Sequence, residues 1–578
     1  MKPSLRDSLR RAAAVLGLAV LLTACPGGGG GGSPVPTTPL PTYTVGGTVS
    51  GLAGGDSVTL LNNGNTAAAL TVTANGAFTF SAPLVNQTSY LVTVQTQPTT
   101  PVSQNCWLNF GSGAGSIAAA NVTTVDVECS LANAWTWQAG SDTAGAAGDY
   151  GTQGIAVATN VPGARVGAVS WTDASGNSWL FGGCQTQRST CSGTQSLLND
   201  LWEYSPSVGT WTWQSGASTV NAIGVYGGTT PGTATASTVP GARWYANTWI
   251  DASGNLWLFG GLGYDSAGTY GNLNDLWEYT PATSSGPATW TWVAGSNTVN
   301  ASGVYGTLGT GTASTVPGAR NGAVSWIDSS GNLWLFGGAI GFGGSAGFLN
   351  DLWEYTPGTG WTWMSGAKTV NADGTYGGTT APGTASATTT PGAREYASSW
   401  IDSSGNLWLI GGYGYDSAAT LGYLNDVWEY NPSAASWTWV NGLDTANAAA
   451  AYGTPGTASA SNYPGTRYGA TTWVDASGNV WLFGGFGDAA TTSPILLNEL
   501  WEYTPPTTAA PTGQWTFVSG TNGAGAYGTL GVAAATNEPG ARVGPNSWTD
   551  ANGNVWMFGG QVSAGTINDL WRYVPTPQ

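Results

Sequence analysis

Six arginines recur along the chain at near-equal intervals. They are Arg165, Arg243, Arg320, Arg394, Arg467 and Arg542, spaced 78, 77, 74, 73 and 75 residues apart. Cations are otherwise scarce: 578 residues hold 13 Lys and Arg and no His. A guanidinium fork offers paired N–H donors that match a carboxylate or a phosphate. One arginine at a fixed place in every repeat therefore reads in two ways. Each pairs with an acid or a backbone carbonyl inside its own repeat, or the six form a ring that holds an anionic group. The residue after each arginine varies: Val166, Trp244, Asn321, Glu395, Tyr468 and Val543. The next is Gly in four repeats but Tyr245 and Tyr396 in two. A constant skeleton with a varied, aromatic-bearing rim is what a binding face presents. The candidate ligand-binding set is Arg165, Arg243, Trp244, Tyr245, Arg320, Asn321, Arg394, Glu395, Tyr396, Arg467, Tyr468 and Arg542. Glu395, between Arg394 and Tyr396, is the carboxylate best placed for general acid–base work. Nothing else marks it as catalytic, and no catalytic residue is assigned.

The acids repeat as well. Asp173, Asp251, Asp328, Asp402, Asp475 and Asp550 each open a short turn ending in Gly-Asn, where an Asp accepts hydrogen bonds from its own backbone. That turn offers too few oxygens at loop spacing to bind calcium. Glu203, Glu278, Glu354, Glu429 and Glu502 share one position, where the last repeat has Arg572. The swap suggests an ion pair between Arg572 and Glu502. Beyond Cys25, four cysteines fall as two local pairs, Cys106/Cys129 and Cys184/Cys191. In an exported chain these suggest two disulfides. With no Cys-x-x-Cys pair and no His, zinc is disfavoured. No metal and no cofactor is expected.

A formal net charge of −17 leaves no footprint for nucleic acid. At the N-terminus Arg10 and Arg11 precede the apolar run Ala12–Leu22, which is too short for a stop-transfer helix. The run ends Leu22-Thr23-Ala24-Cys25, which resembles a bacterial lipoprotein signal. The resemblance implies cleavage after residue 24 and lipidation of Cys25, an anchor that needs no membrane-spanning helix. Pro26, in place of Asp, leans towards the outer membrane. Residues 1–24 are thus the signal and 25–42 a Gly- then Pro-rich tether. Residues 43–130 alternate short strand-like stretches with Gly/Asn turns, the pattern of a small antiparallel β-sandwich. They resemble the Ig-like spacer domains of bacterial surface lipoproteins.

From residue 131 to 578 one phrase, PGARxxA…WxDxxGNLWLFGG…LNDLWEYxP…WTWxxG, recurs six times. Each copy holds four strand-like pieces; in the first they are Arg165–Trp171, Ser178–Gly183, Asn199–Tyr204 and Trp211–Gln214. Such repeats make propeller blades. The Gly-Gly pairs from Gly182-Gly183 to Gly559-Gly560, the Trp-x-Tyr of the third strand and the Trp of the fourth resemble the kelch repeat. The period departs from it, near 75 rather than about 50, and no His follows the arginine. The fourth-strand Trp occurs at Trp135, Trp211, Trp290, Trp361, Trp437 and Trp515, one repeat unit ahead of the other motifs. The expected fold is all-β: a six-bladed kelch-type propeller whose last blade is closed by an N-terminal strand, preceded by an Ig-like sandwich. Thirty of the 31 tryptophans lie in the repeats, Trp107 being the exception. Recurring at equivalent places, they read as packing between blades. Trp244, without a counterpart, reads as a site residue.

The function expected is that of a lipid-anchored binding or scaffolding protein of the bacterial cell envelope. Its ligand, a glycan or a surface protein, would sit on the face that carries the long loops, and the protein would be a monomer. The alternative is a carbohydrate-active enzyme of the epimerase or mutarotase kind found among kelch-like propellers. The copper radical oxidases they resemble need His ligands, which this chain lacks.

Overall fold

The computed structural model describes residues 40–576 apart from 110, 188–190, 192–195, 284–285, 342–346, 378–381, 384 and 387. The expected signal, Cys25, nearly all of the tether and Arg188 lie outside the described residues. The described chain is all-β, and helix is limited to short turns such as Thr66–Ala68.

Two four-stranded sheets make up the N-terminal part, and Val45, Val58, Leu60, Phe80, Val125 and Val127 are buried in its core. One sheet runs Gly76–Thr79, Val45–Ser50, Val122–Leu131, Gln104–Leu108. It departs from the antiparallel expectation, because Val45–Ser50 and Val122–Leu131 pair in parallel. A parallel neighbour requires a crossover, and the second sheet supplies it between those two strands. The Cys106–Cys129 disulfide ties directly opposed residues of two adjacent strands.

Six antiparallel sheets follow, four of four strands and two of five, consistent with propeller blades. The first is Val169–Thr172, Ser178–Cys184, Leu197–Ser205 and Thr210–Ser215. Its innermost strand starts later than the sequence suggested. Gly167 takes a φ of +66° where the ladder breaks; Val166 still bridges Cys184 of its own sheet, while Arg165 N donates to Ile567 O and Gly167 O accepts from Tyr245 N. The sixth sheet takes its fourth strand from the other end of the repeats: Ala134–Ala139 pairs with Leu570–Val574. The innermost strands of successive sheets are neighbours in cyclic order, the first also meeting the last.

Tryptophans fix the sheets to one another. Trp290 of the second sheet meets Phe181 of the first at 5.5 Å between ring centroids. Phe259–Trp361, Phe336–Trp437 and Phe483–Trp135 repeat the contact, and Trp211–Phe558 joins first to sixth. The Gly-Gly pair has a geometric cause. Gly182 has φ +67°, and a Cβ there would lie 2.6 Å from the carbonyl oxygen of Arg243 in the next sheet. Every first glycine of the pair meets the next sheet's arginine carbonyl in this way, Gly559 meeting that of Arg165.

The extra length of the repeat is spent on the sheet edges. Each connection from a fourth strand to the next first strand folds down over the outer edge of the sheet it leads into. Gly154 N donates to Trp213 O, Gly232 N to Trp292 O, Gly309 N to Trp363 O, and so on to Gly531 N and Trp137 O. An uncovered outer strand is a template for aggregation. These loops cap it.

Candidate functional site

The six arginines are buried, none more than 2% exposed. Each is tied to a carboxylate of its own sheet: Arg165–Asp200, Arg243–Asp275, Arg320–Asp351, Arg394–Asp426, Arg467–Glu499 and Arg542–Asp569. The geometry around Arg320 is representative. Its Nη1 and Nη2 donate to Asp351 at 2.7 and 2.8 Å, Nη1 also to Gly337 O, and Nε to Gly318 O. Asp351 then accepts from the Tyr305 hydroxyl and the Trp353 indole, both at 2.7 Å. Burial alone would lower the arginine pKa, but the carboxylate raises it. The arginines therefore fit the first of the two sequence readings. Their donors face carboxylates and carbonyls of the chain, and a ligand ring made of them has no support in this geometry.

The tyrosines of these clusters come from the edge-capping loops. Burial first, then the neighbouring carboxylate, holds the phenols of Tyr226, Tyr305 and Tyr527 far above their ordinary value. Tyr430, raised by burial and then by Glu354, is pushed up to about 12. A folded pKa above the unfolded one means stability that is complete below the unfolded value and lost as pH rises through the folded one. The melting temperature should thus be level up to about pH 10 and fall steeply between about pH 10 and 12. A melting series that stays level to pH 12 would contradict this.

The two residues after each arginine form the axial end of the sheets. Gly167, Tyr245, Gly322, Tyr396, Gly469 and Gly544 all have positive φ. Their backbones bond head to tail: Tyr245 N donates to Gly167 O, Gly322 N to Tyr245 O, Tyr396 N to Gly322 O, Gly469 N to Tyr396 O and Gly544 N to Gly469 O. A Cβ on Gly167 would strike the Tyr245 ring, and one on Gly322 the Tyr396 ring. Two tyrosines in a left-handed backbone thus each lie over a neighbouring glycine. The Tyr396 hydroxyl donates to Asn321 Oδ1 at 2.9 Å, and Asn321 Nδ2 donates to Asn272 Oδ1 at 2.8 Å. This is a buried, mutually bonded plug.

Of the varied residues after the arginines, Val166, Trp244, Asn321 and Val543 are buried. Trp244 packs with Val166, Cys184, Cys191, Leu197 and Leu262, so the structure makes it core. The Cys184–Cys191 disulfide lies in the same cluster. Only Glu395 and Tyr468 are partly exposed, both in the sector of the fourth and fifth sheets. There Glu395 pairs across strands with Tyr413, raising its phenol pKa after burial. Tyr468 stacks on Tyr423 at 5.8 Å and 22°, and Phe486 lies 5.8 Å from Tyr468. Tyr413 closes the group at 5.3 Å from Tyr423. All four rings are half-buried.

Sequence reasoning missed Tyr413, Tyr423 and Phe486. A signal was present: Gly-Tyr-Asp-Ser at 263–266 and 414–417, in two of the six repeats only. In both places the second and third strands run on as a projecting hairpin, Leu256–Tyr264 with Tyr270–Thr280 and Leu407–Tyr415 with Leu421–Asn431. Buried Asp265 and Asp416 shape the two turns by accepting from the backbone of Ala267 and Thr269, and of Ala418 and Thr420.

Arg572 pairs with Glu128 of the N-terminal sheets at 2.8 Å, not with Glu502, whose Oε1 accepts from Asn479. Its guanidinium lies 5.0 Å from the Trp107 ring and 5.7 Å from Trp556. This explains both the charge reversal and the one tryptophan outside the repeats. The contact falls among the turns Ser175-Gly176, Pro206-Ser207 and Asp550–Asn552, on the face opposite the plug.

No family model matches the sequence, and no curated protein matches it. Among solved structures the chain is similar to the structure of YjhT, at 13% identity and a TM-score of 0.41, over 71% of this chain and 95% of that one. The class these observations define is an all-β chain of four-stranded, blade-like sheets with two disulfides. No helix among the described residues is long and apolar enough to cross a membrane.

Proposed function

We propose that the chain is a six-bladed kelch-type propeller that binds glycan on its long-loop face, held at the cell envelope by lipid on Cys25. The observation that carries the ligand class is the half-buried cluster Tyr413, Tyr423, Tyr468 and Phe486 beside Glu395. Aromatic rings take the apolar faces of a pyranose, and a carboxylate accepts from its hydroxyls. The Ig-like domain supports the orientation. It docks on the short-turn face through Glu128, Trp107 and Arg572, opposite the aromatic cluster. Two disulfides and the lipoprotein-like leader support an extracytoplasmic compartment.

A glycan array probed with residues 43–578 tests the reading. Binding to a defined set of glycans is expected, and Tyr423→Ala or Tyr468→Ala should weaken it about tenfold or more. An array with no specific binder, or a binder indifferent to both substitutions, would overturn it. Turnover of a bound sugar that Glu395→Gln abolishes would replace it with the enzymatic alternative.

A further inference from the structure

We propose that the cleft between the fourth and fifth sheets, on the short-turn face, binds a small organic cation: an alkylammonium held over Trp400 and Trp408, with Glu429 as its counter-charge. The cleft encloses about 640 Å³ and is walled by those tryptophans, Tyr503 and the carboxylates of Asp402, Glu429 and Asp475. That volume suits a small molecule.

A break in the repeat accompanies the cleft. In the first three sheets the innermost tryptophan reaches across to the next sheet. Trp171 Nε1 donates to Trp257 O at 3.1 Å, Trp249 to Trp334 O at 3.2 Å and Trp326 to Trp408 O at 3.0 Å. In the fourth sheet Trp400 lies flat on Trp408 instead, 5.6 Å away at 15°, as Trp473 does on Trp481 in the fifth. The fifth sheet's extended turn, with Pro505 and Pro506, forms the far wall.

The charge arrangement selects the occupant. Asp402 and Asp475 line the cleft and accept bonds from their own turns and from the Trp408 and Trp481 indoles. Glu429 stands apart from Glu203 and Glu502, though not from Glu278 and Glu354, whose neighbours Asn255 and Asn332 also turn to their own Asp. Glu203 accepts from Asn177 and Gln214, and Glu502 from Asn479. In the fourth sheet the equivalent Asn406 turns to Asp402, and Glu429 accepts no hydrogen bond among the described residues. It is a half-buried carboxylate lining the same cleft as Trp400 and Trp408, raised in pKa by burial and then by Asp402. A cation over the rings would meet both the quadrupole and the charge.

The chain fills the equivalent gap with its own cation. Between the sixth and first sheets, Trp548 likewise lies flat on Trp556, at 5°. There Arg572, at the position equivalent to Glu429, lies over Trp556 and Trp107 and pairs with Glu128. The cavity left there is about 30 Å³. The fifth sheet stacks its tryptophans too, but there Asn479 bonds Glu502; the fourth joins a flat tryptophan pair to a carboxylate with no such bond, and that frame is open to a cation from outside.

Isothermal titration of the chain with choline, and with its uncharged isostere 3,3-dimethylbutan-1-ol, tests this. Choline is expected to bind, more weakly as salt rises, with the isostere weaker by about tenfold or more. Glu429→Gln should weaken choline by a similar factor without moving the melting temperature, and Glu278→Gln should leave it unchanged. Trp400→Leu should weaken both ligands. Isostere binding equal to choline, choline binding unaffected by Glu429→Gln, or no choline binding at millimolar concentration would each overturn the proposal.

Discussion

Asp351→Ala is expected to destabilise the protein by about 3–5 kcal/mol, a change visible as a large drop in the denaturant midpoint. The substitution leaves the Arg320 guanidinium buried with no counter-charge. It also strips the acceptor from the Tyr305 hydroxyl and the Trp353 indole, so three donors lose their partner at once. Breaking a buried pair costs far more than the pair contributes, because the orphaned charge keeps its desolvation penalty. Replacing both members, with Arg320→Met and Asp351→Leu, should therefore cost less than Asp351→Ala alone. It should not reach zero, since Tyr305 and Trp353 would still lack an acceptor. An arginine ring serving a ligand at a wet mouth would behave otherwise. Losing its acid would cost under about 1 kcal/mol and show up in binding. A midpoint within error of the parent would thus return the arginines to the ligand site.

The fifth sheet shows how much latitude this cluster has. It uses Glu499 where the others use Asp, and Arg467 reaches it through Nη2 alone at 2.6 Å. Asn522 donates to the other carboxylate oxygen at 3.0 Å. Burial by itself would push Glu499 up, but Arg467 and Tyr452 bring it below the ordinary carboxylate value. Its stability is present above that ordinary value and lost as pH falls through the folded one.

These clusters also show what the sequence could and could not disclose. The repeat phrase made strands, turns and their number legible, because period-2 runs, Gly-Asn turns and Gly-Gly pairs are local signals. The orphan strand around Trp135 was legible by counting motifs. The arginines' partners were in plain view too, as the Asp of each LNDLW phrase, or Glu499 in the fifth. But their pairing joins residues about 30 apart, and sequence spacing gave no reason to prefer them over a ligand. The length of the edge-capping loops was visible, but their direction was not. Nothing at Trp244 distinguishes a core indole from an exposed one. Its neighbours Val166 and Leu262 come from two different sheets. The Tyr413–Tyr468 cluster likewise exists only after two sheets meet.

Closure of the ring gives the second large effect. Trp135→Ala is expected to cost about 3–5 kcal/mol, as a buried indole is lost against Phe483, Trp571 and Tyr573. Trp290→Ala removes the equivalent ring from the second sheet, with the same class of contacts to Phe181, Trp277 and Tyr279. The local loss is therefore alike, and the consequence should differ. In the second sheet the outer strand, from Thr289, follows closely in the chain after its partner, which ends at Thr280. In the sixth, Ala134–Ala139 reaches Leu570–Val574 from the opposite end of the repeats, so only contacts hold it. One of these lies outside the strand itself, the Arg572–Glu128 pair. When the strand lets go, the edge of Leu570–Val574 is exposed together with the gap to the first sheet, and exposed edges pair with other chains. Trp135→Ala should thus self-associate in light scattering below its melting temperature, whereas Trp290→Ala should stay monomeric until it unfolds. Adding Arg572→Ala to Trp135→Ala should worsen the association. Equal behaviour of the two tryptophan variants would mean that the ring does not depend on its non-local strand for closure.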